Sequence, residues 1–306
     1  MLDNNNLKKE DLEVLKFLSK YKMLKVEDAT LIYHTKRYYR DRINKLINKG
    51  YVKRYKSYII LDKKGRKILG EVGQGYIKNI KNEAYMERLK AITSIATLSI
   101  DSTIKFEPSW LIKEKNIFTE TARRYIGKLI IDHKEYLTYY VSKKKEVVYI
   151  KQLLFDINKS FNYENIMIFI EDSGVICPKY SNFSFGKENT IVIVNDDNNK
   201  ELLKKYPNIN WHEVLETMYN KELLISDWDN ADYLLDENKY IIEMLFINTE
   251  KIEKLKWYYK ENSNSLKRVE IITIDENKEK IKEIVGDNRC SVKVIDKNWL
   301  GGIFEC

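Results

Sequence analysis

"TKRYYRDRINKLINKGYVKRYKSYIILDKKG", residues 35–65, holds eleven Lys or Arg against two acids and still keeps a regular set of Ile, Leu and Tyr. Its first half repeats at helical spacing. Tyr39, Ile43, Leu46 and Ile47 share one face of a helix running from Lys36 to Asn48, and Gly50 stands where a left-handed residue would end it. Beyond Gly50 the period changes: "YVKRYK" (51–56) and "YIILD" (58–62) are aromatic and β-branched runs joined around Ser57, which predicts a β-hairpin. "KKGRKILGEV" then restarts a helix or turn.

Upstream, Leu12, Val14, Leu15, Phe17 and Leu18 recur at helical spacing in "DLEVLKFLSKYK", with acids at its start where they suit the helix dipole. "KVEDATLIY" (25–33) reads as a short second helix, and Thr35 can cap the third. Three helices followed by a hairpin make the winged form of helix-turn-helix, here spanning 1–75. With Tyr39, Ile43, Leu46 and Ile47 buried, Lys36, Arg37, Arg40 and Asn44 fall near the N-terminal half that such a helix inserts into a major groove. Arg and Asn can each make bidentate contacts with base edges, whereas Lys mainly meets phosphate. Arg42, Lys45, Lys53, Arg54, Lys56, Lys63, Lys64 and Arg66 are expected on the flanking DNA backbone.

Charge separates this head from the rest. The net charge is +8, yet residues 1–70 hold 19 Lys/Arg against 8 Asp/Glu, leaving 35 against 38 for residues 71–306. A polyanion-binding head on a near-neutral body gives such a contrast, while a uniformly basic chain does not. A solvated charged surface is the bland alternative, and the coincidence of charge with the helix-and-hairpin pattern weighs against it.

A 43% apolar fraction with 22 Tyr, and only three prolines, predicts a chain folded throughout, with two or three domains for 306 residues. No stretch approaches 18 apolar residues and the first residues do not resemble a secretion signal, so the expected location is cytoplasmic and no membrane partner is expected. Cys177, Cys290 and Cys306 lack a CxxC spacing and read as reduced core thiols, while the three histidines stand far apart; no metal and no cofactor is expected.

"NEAYMERLKAITSIATLSI" (82–100) predicts a helix with a broad apolar side that links head to body, or pairs with a second copy in a homodimer. After it a strand-helix-strand grammar appears: 135–142, 145–161 and 165–172, then a strand at 189–196, and later 240–248, 250–262 and 268–275. Crossover units of this kind imply a mixed, partly parallel sheet flanked by helices over 101–306, with a division near 176–210 left open.

The head, "YMERLKAITSIATL" and the following "FEPSWLI … RRYIGKLIIDHKEYLTYYVSKKKEVVYIKQLLFDI" resemble the replication-relaxation family of plasmid and integrative-element proteins over about residues 8–175. That resemblance implies a restriction-endonuclease-like second domain, in which a Pro-Asp element precedes a strand bearing metal-binding acids. Here Ser109 follows Pro108 and the strand reads Tyr139-Tyr140-Val141-Ser142, so the resemblance implies a catalytically degenerate body. Glu107, Asp132 and Glu135 are the acids a divergent nuclease would have to recruit. "GEVGQG" (70–75) lacks the Lys-Ser/Thr of a phosphate loop and reads as a hinge, and the acids of "SDWDNADYLLDEN" (226–238) read as surface rather than a calcium loop.

The expectation is therefore an α/β protein with an N-terminal winged helix-turn-helix domain, binding double-stranded DNA of a mobile element in replication, conjugative transfer or their control. Its body would serve dimerisation or the docking of a replication or transfer protein, without catalysis. The alternatives are a transcriptional regulator with a ligand- or partner-sensing C-terminal domain, and a metal-dependent nuclease.

Overall fold

Why the chain turns back where it does is clearest at its first helix, α1 (Lys9–Tyr21), whose Val14, Leu15 and Leu18 are fully buried and whose end is set by Lys22 in the left-handed region. The computed structural model describes residues 7–70, 82–114, 124–143, 147–160, 162–171, 186–261, 267–286, 289–296 and 300. It divides into two units, Met1–Ile117 with Ile126–Leu129, and Phe118–Tyr125 with Ile130–Cys306. The hinge reading of "GEVGQG" falls mostly on 71–75, outside the described residues.

In the first unit, Lys22 leads into strand β1 (Met23–Lys25), a 3-10 turn at Glu27–Ala29 and the single-turn helix α2 (Thr30–Tyr33). The helix expected over 25–33 is thus a strand, a tight turn and one helical turn. Residues Met23 to Lys25 pair antiparallel with Ile60 to Tyr58, a partner that local periodicity cannot reveal. Helix α3 (Tyr38–Asn48) begins two residues later than expected, leaving Lys36 in the approach and Arg37 at the N-cap. Tyr39, Ile43 and Leu46 are buried as the spacing predicted. Gly50, with φ +74, passes the chain on, and the Tyr51 N–H donates to the Leu46 carbonyl.

The hairpin follows: β2 (Val52–Tyr55) pairs antiparallel with β3 (Tyr58–Leu61), and the three strands lie in the order β1-β3-β2. Helix α4 (Lys63–Leu69) packs closely on the start of β2. A Cβ on Gly65 would run into the Tyr51 carbonyl oxygen and the Leu61 side chain, so only glycine fits there.

Helix α5 (Glu83–Ala96) belongs to the same unit. Leu89, Ile92 and Ile95 are fully buried, Met86 and Leu89 pack with Met23 and Ile60, and the Thr93 hydroxyl donates to the Met23 carbonyl at 2.9 Å. This corrects the expectation of a stripe free to pair with a second copy: the head of the same chain already covers it. Each such aliphatic side chain contributes about 1.5–3 kcal/mol by leaving water, so exposing the stripe for a dimer would cost more than surface contacts return. Strand β4 (Lys105–Pro108) and helix α6 (Ser109–Glu114) close the unit, with the Tyr21 hydroxyl donating to the Phe106 carbonyl and the Trp110 indole to the Lys20 carbonyl. The first unit therefore runs past the boundaries at 75 and 100 read from the sequence.

The second unit is α/β with mixed, partly parallel sheets. After β5 (Gly127–Ile131), along which the chain passes between units, Asp132 and His133 form a tight turn in left-handed conformation into β6 (Lys134–Val141). Helix α7 (Val147–Asn158) crosses to β7 (Asn165–Ile170), parallel to β6, and β8 (Asn189–Val194) lies parallel beyond it. The β7 residues Ile166 to Ile170 are buried on both faces, the pattern of a central parallel strand. Helices α8 (Asp197–Lys205) and α9 (Trp211–Tyr219) precede a second sheet.

That sheet comprises β9 (Leu224–Ile225), β10 (Tyr233–Leu235), β11 (Lys239–Glu243), β13 (Arg268–Thr273) and β14 (Cys290–Val294), in the order β14-β13-β11-β10-β9. β11 and β13 are parallel, as are β13 and β14, with α11 (Asp275–Val285) between the latter pair. The run expected as one strand over 240–248 is split. It breaks after Glu243, and Ile247–Asn248 form β12, which pairs antiparallel with β8 in the first sheet. Asn248 then starts α10 (Thr249–Glu261), its Oδ1 accepting from the Glu250 and Lys251 N–H groups. One apolar segment therefore serves both sheets of this unit. Cys290 on β14 is a half-buried thiol rather than a core one; Cys177 and Cys306 lie outside the described residues.

Candidate nucleic-acid interface

The scaffold that presents α3 is a buried polar knot. Asp11 of α1 is fully buried and accepts from the Lys8 N–H at 2.9 Å, the Tyr33 hydroxyl at 2.7 Å, Arg42 Nε at 3.2 Å and Arg42 Nη2. One carboxylate thus ties α1 to the end of α2 and the middle of α3. Burial pushes its pKa up, but the Arg42, Tyr33 and Lys8 hydrogen bonds and the guanidinium charge more than offset this, so it is held below the usual aspartate value. Burial and the Asp11 hydrogen bond likewise push the Tyr33 hydroxyl far above its ordinary range.

Arg42 was expected on the DNA backbone, and the structure corrects this. Its side chain is only 10% exposed and is committed to Asp11. The helical wheel already leans that way, because Arg42 lies three residues after Tyr39 and four before Leu46, on the apolar face.

The neighbouring positions point outward. Lys36, Arg37, Arg40, Asn44 and Lys45 are exposed, as are Arg54 and Lys56 on the hairpin and Lys63 and Lys64 on α4. Lys53 and Arg66 are half-buried. Lys56 occupies the hairpin turn with φ +55, a conformation that costs a non-glycine residue, and its carbonyl accepts from Arg54 Nε at 3.3 Å. Lys64 Nζ sits 4.8 Å from the Tyr51 ring centre.

Three of the expected residues converge. Arg40 and Asn44 from α3 and Arg54 from β2 line one cleft of about 400 Å³, floored by Tyr39 and Ile43 and closed by Val26, Glu27 and Ser57. Arg40 Nε donates to the Tyr39 hydroxyl at 3.0 Å, which steadies the guanidinium at the cleft wall. Lys36, Arg37, Lys45, Lys53, Lys56, Lys63, Lys64 and Arg66 do not line it.

Sequence reasoning missed Glu27. It enters the cleft because β1 and the 3-10 turn replace the expected helix, and no local signal announces that. Lys25 Nζ lies 2.6 Å from its carboxylate; that hydrogen bond and charge, with Arg40, keep the carboxyl below its ordinary value. A carboxylate beside Arg40 and Arg54 opposes phosphate and favours a hydrogen-bond donor at that point.

The acids a nuclease would recruit are placed as follows. Glu107 faces Lys128 at 3.5 Å in the first unit. In the second, Asp132 is in the left-handed turn before β6 and Glu135 is exposed near the start of that strand. Among the described residues no three His, Cys, Asp or Glu side chains gather as a metal-binding group.

The described residues thus define an α/β chain with mixed, partly parallel sheets, and none of their helices is long and apolar enough to cross a membrane. No family model, curated protein or solved structure matches it.

Proposed function

We propose that this chain is a double-stranded DNA-binding protein whose first unit is a winged helix-turn-helix, with α3 as reading helix and the β2–β3 hairpin as a short wing. The order α1, β1, α2, α3, β2, β3 with strands paired β1-β3-β2 supports that reading. The observation that carries it is the cleft where exposed Arg40 and Asn44 stand beside Arg54 from the hairpin. Arg40 and Asn44 are one helical turn apart and suit adjacent base edges, guanine and adenine respectively. Lys36, Arg37, Lys45, Lys56, Lys63 and Lys64 supply phosphate contacts around them. On the strength of the sequence resemblance to the replication-relaxation family, the activity proposed is that of a plasmid or integrative-element protein, in replication, transfer or their control. Two copies on an inverted repeat would multiply the few base contacts one short helix makes, through a surface other than α5.

The test is fluorescence anisotropy with duplexes selected from a random pool, measured against salt. Arg37→Ala with Arg40→Ala should weaken binding, relax specificity at the base Arg40 reads, and lower the slope of log K against log salt by about 1, the share of the phosphate contact made by Arg37. An unchanged affinity and slope in that double variant would remove the head from the function. A second reading, a regulator whose second unit senses a ligand or partner, is favoured by an aromatic cleft in that unit lined by Trp228, Tyr240, Trp257 and Tyr258.

A further inference from the structure

The second unit holds a cleft of about 580 Å³ that no part of the DNA-binding reading uses. One wall is a single face of α10, where Lys254, Trp257, Tyr258 and Glu261 recur at helical spacing; the other is the loop from Asp227 to Asn230 with Tyr240 of β11. Trp228 stacks on Tyr258 with ring centres 4.4 Å apart and tilts against Tyr240 at 5.1 Å, while Trp257 is 55% exposed at the rim. The walls are therefore π-faces already fixed against one another.

Charge decides what such walls would take. Asp227, Asp229 and Glu261 line the cleft against one lysine, Lys254. Asp227 is engaged by the Tyr240 hydroxyl and by Lys267, whereas Asp229 and Glu261 form no ion pair among the described residues. Lys260 Nζ lies 5.0 Å over the Trp257 ring, so that ring already takes a cation on its face, and the carboxylates of Asp229 and Glu261 favour a cationic ligand there over an anionic one.

A second, independent feature points the same way. Asn230 lines the cleft and is only 2% exposed; its Nδ2 donates to the Lys251 carbonyl at 3.0 Å, but its buried Oδ1 has no hydrogen-bond partner among the described residues. Buried acceptors are almost always satisfied, and an N–H donor entering the cleft would satisfy this one. Aromatic faces, unpaired carboxylates and an orphan acceptor together describe a planar cation rich in N–H groups.

We infer that this cleft binds the guanidinium group of an arginine side chain presented by a partner polypeptide. The plane stacks on Trp257 or Trp228, Asp229 and Glu261 supply the counter-charge, and Asn230 Oδ1 accepts one N–H.

The experiment uses the full chain labelled with ¹⁵N, following the indole N–H signals of its five tryptophans. The probes are acetyl-Gly-Gly-Arg-Gly-Gly-amide, the same peptide with neutral, isosteric citrulline, and a short oligothymidylate; Trp257→Phe and Trp228→Phe assign the signals. The arginine peptide should shift the Trp228 and Trp257 signals saturably and leave Trp110 and Trp211 in place. Citrulline, or the surface pair Asp229→Asn with Glu261→Gln, should weaken binding about tenfold or more. Equal binding of citrulline, or no saturable shift at about 10 mM arginine peptide, overturns the inference. Shifts with oligothymidylate but not the peptide overturn it too, in favour of base stacking. Neither outcome bears on DNA binding by the head.

Discussion

Arg40 and Arg42 lie two residues apart on α3; Arg42 is buried against Asp11, while the proposed function gives the exposed Arg40 to DNA, so paired substitutions separate folding from binding. In Arg42→Ala, Asp11 loses two charge-assisted hydrogen bonds and the guanidinium that pairs with it while remaining fully buried. Breaking a buried pair in this way costs about 3–5 kcal/mol, because an uncompensated charge is left behind. For a unit of this size that corresponds to a fall in Tm of about 10–25 °C, read by circular dichroism at neutral pH. Replacing both partners, Asp11→Leu with Arg42→Met, should recover most of the loss, since no charge is stranded. Arg40→Ala should leave Tm within about 2 °C and act only on DNA affinity. If Arg42→Ala melts with the wild type but binds DNA poorly, Arg42 faces the ligand and not the carboxylate, and the buried pair with Asp11 is refuted.

The same knot gives a pH dependence. Because the Asp11 pKa is depressed in the folded chain, its stabilisation is present above the ordinary aspartate value of 3.8 and is lost as pH falls through the lower folded value. The Tm difference between wild type and Arg42→Ala should therefore shrink in acid melts below about pH 4; a difference that stays constant would contradict it. Tyr33→Phe removes one hydrogen bond to a buried carboxylate and should cost about 1–3 kcal/mol in urea titration. Gly65→Ala should destabilise the first unit by more than the gain expected from helix propensity, because its methyl meets the Tyr51 carbonyl and Leu61; a neutral melt would show that α4 shifts freely. Plasmid DNA incubated with the protein and Mg²⁺ should remain supercoiled on a gel, and nicking abolished by Asp132→Ala with Glu135→Ala would establish the nuclease alternative.

Sequence periodicity alone determined α1, α3, the hairpin around Ser57 and the strand-helix-strand alternation, since each depends on residues within one or two turns of one another. It also determined the charge asymmetry, a count that folding cannot change. Tertiary structure decided the rest. Strand β1 exists because β3, some 35 residues later, supplies its hydrogen-bond partners, and through it Glu27 enters the cleft beside Arg40. Arg42 can turn inward because Asp11, 31 residues upstream, makes a buried guanidinium tolerable. An apolar stripe reads the same whether a second copy or the same chain covers it, and only the packing of α5 on Met23 and Ile60 shows which. Local pattern fixes which face of an element is apolar or charged; what that face meets depends on residues distant in sequence, and a single chain of letters does not encode that distance.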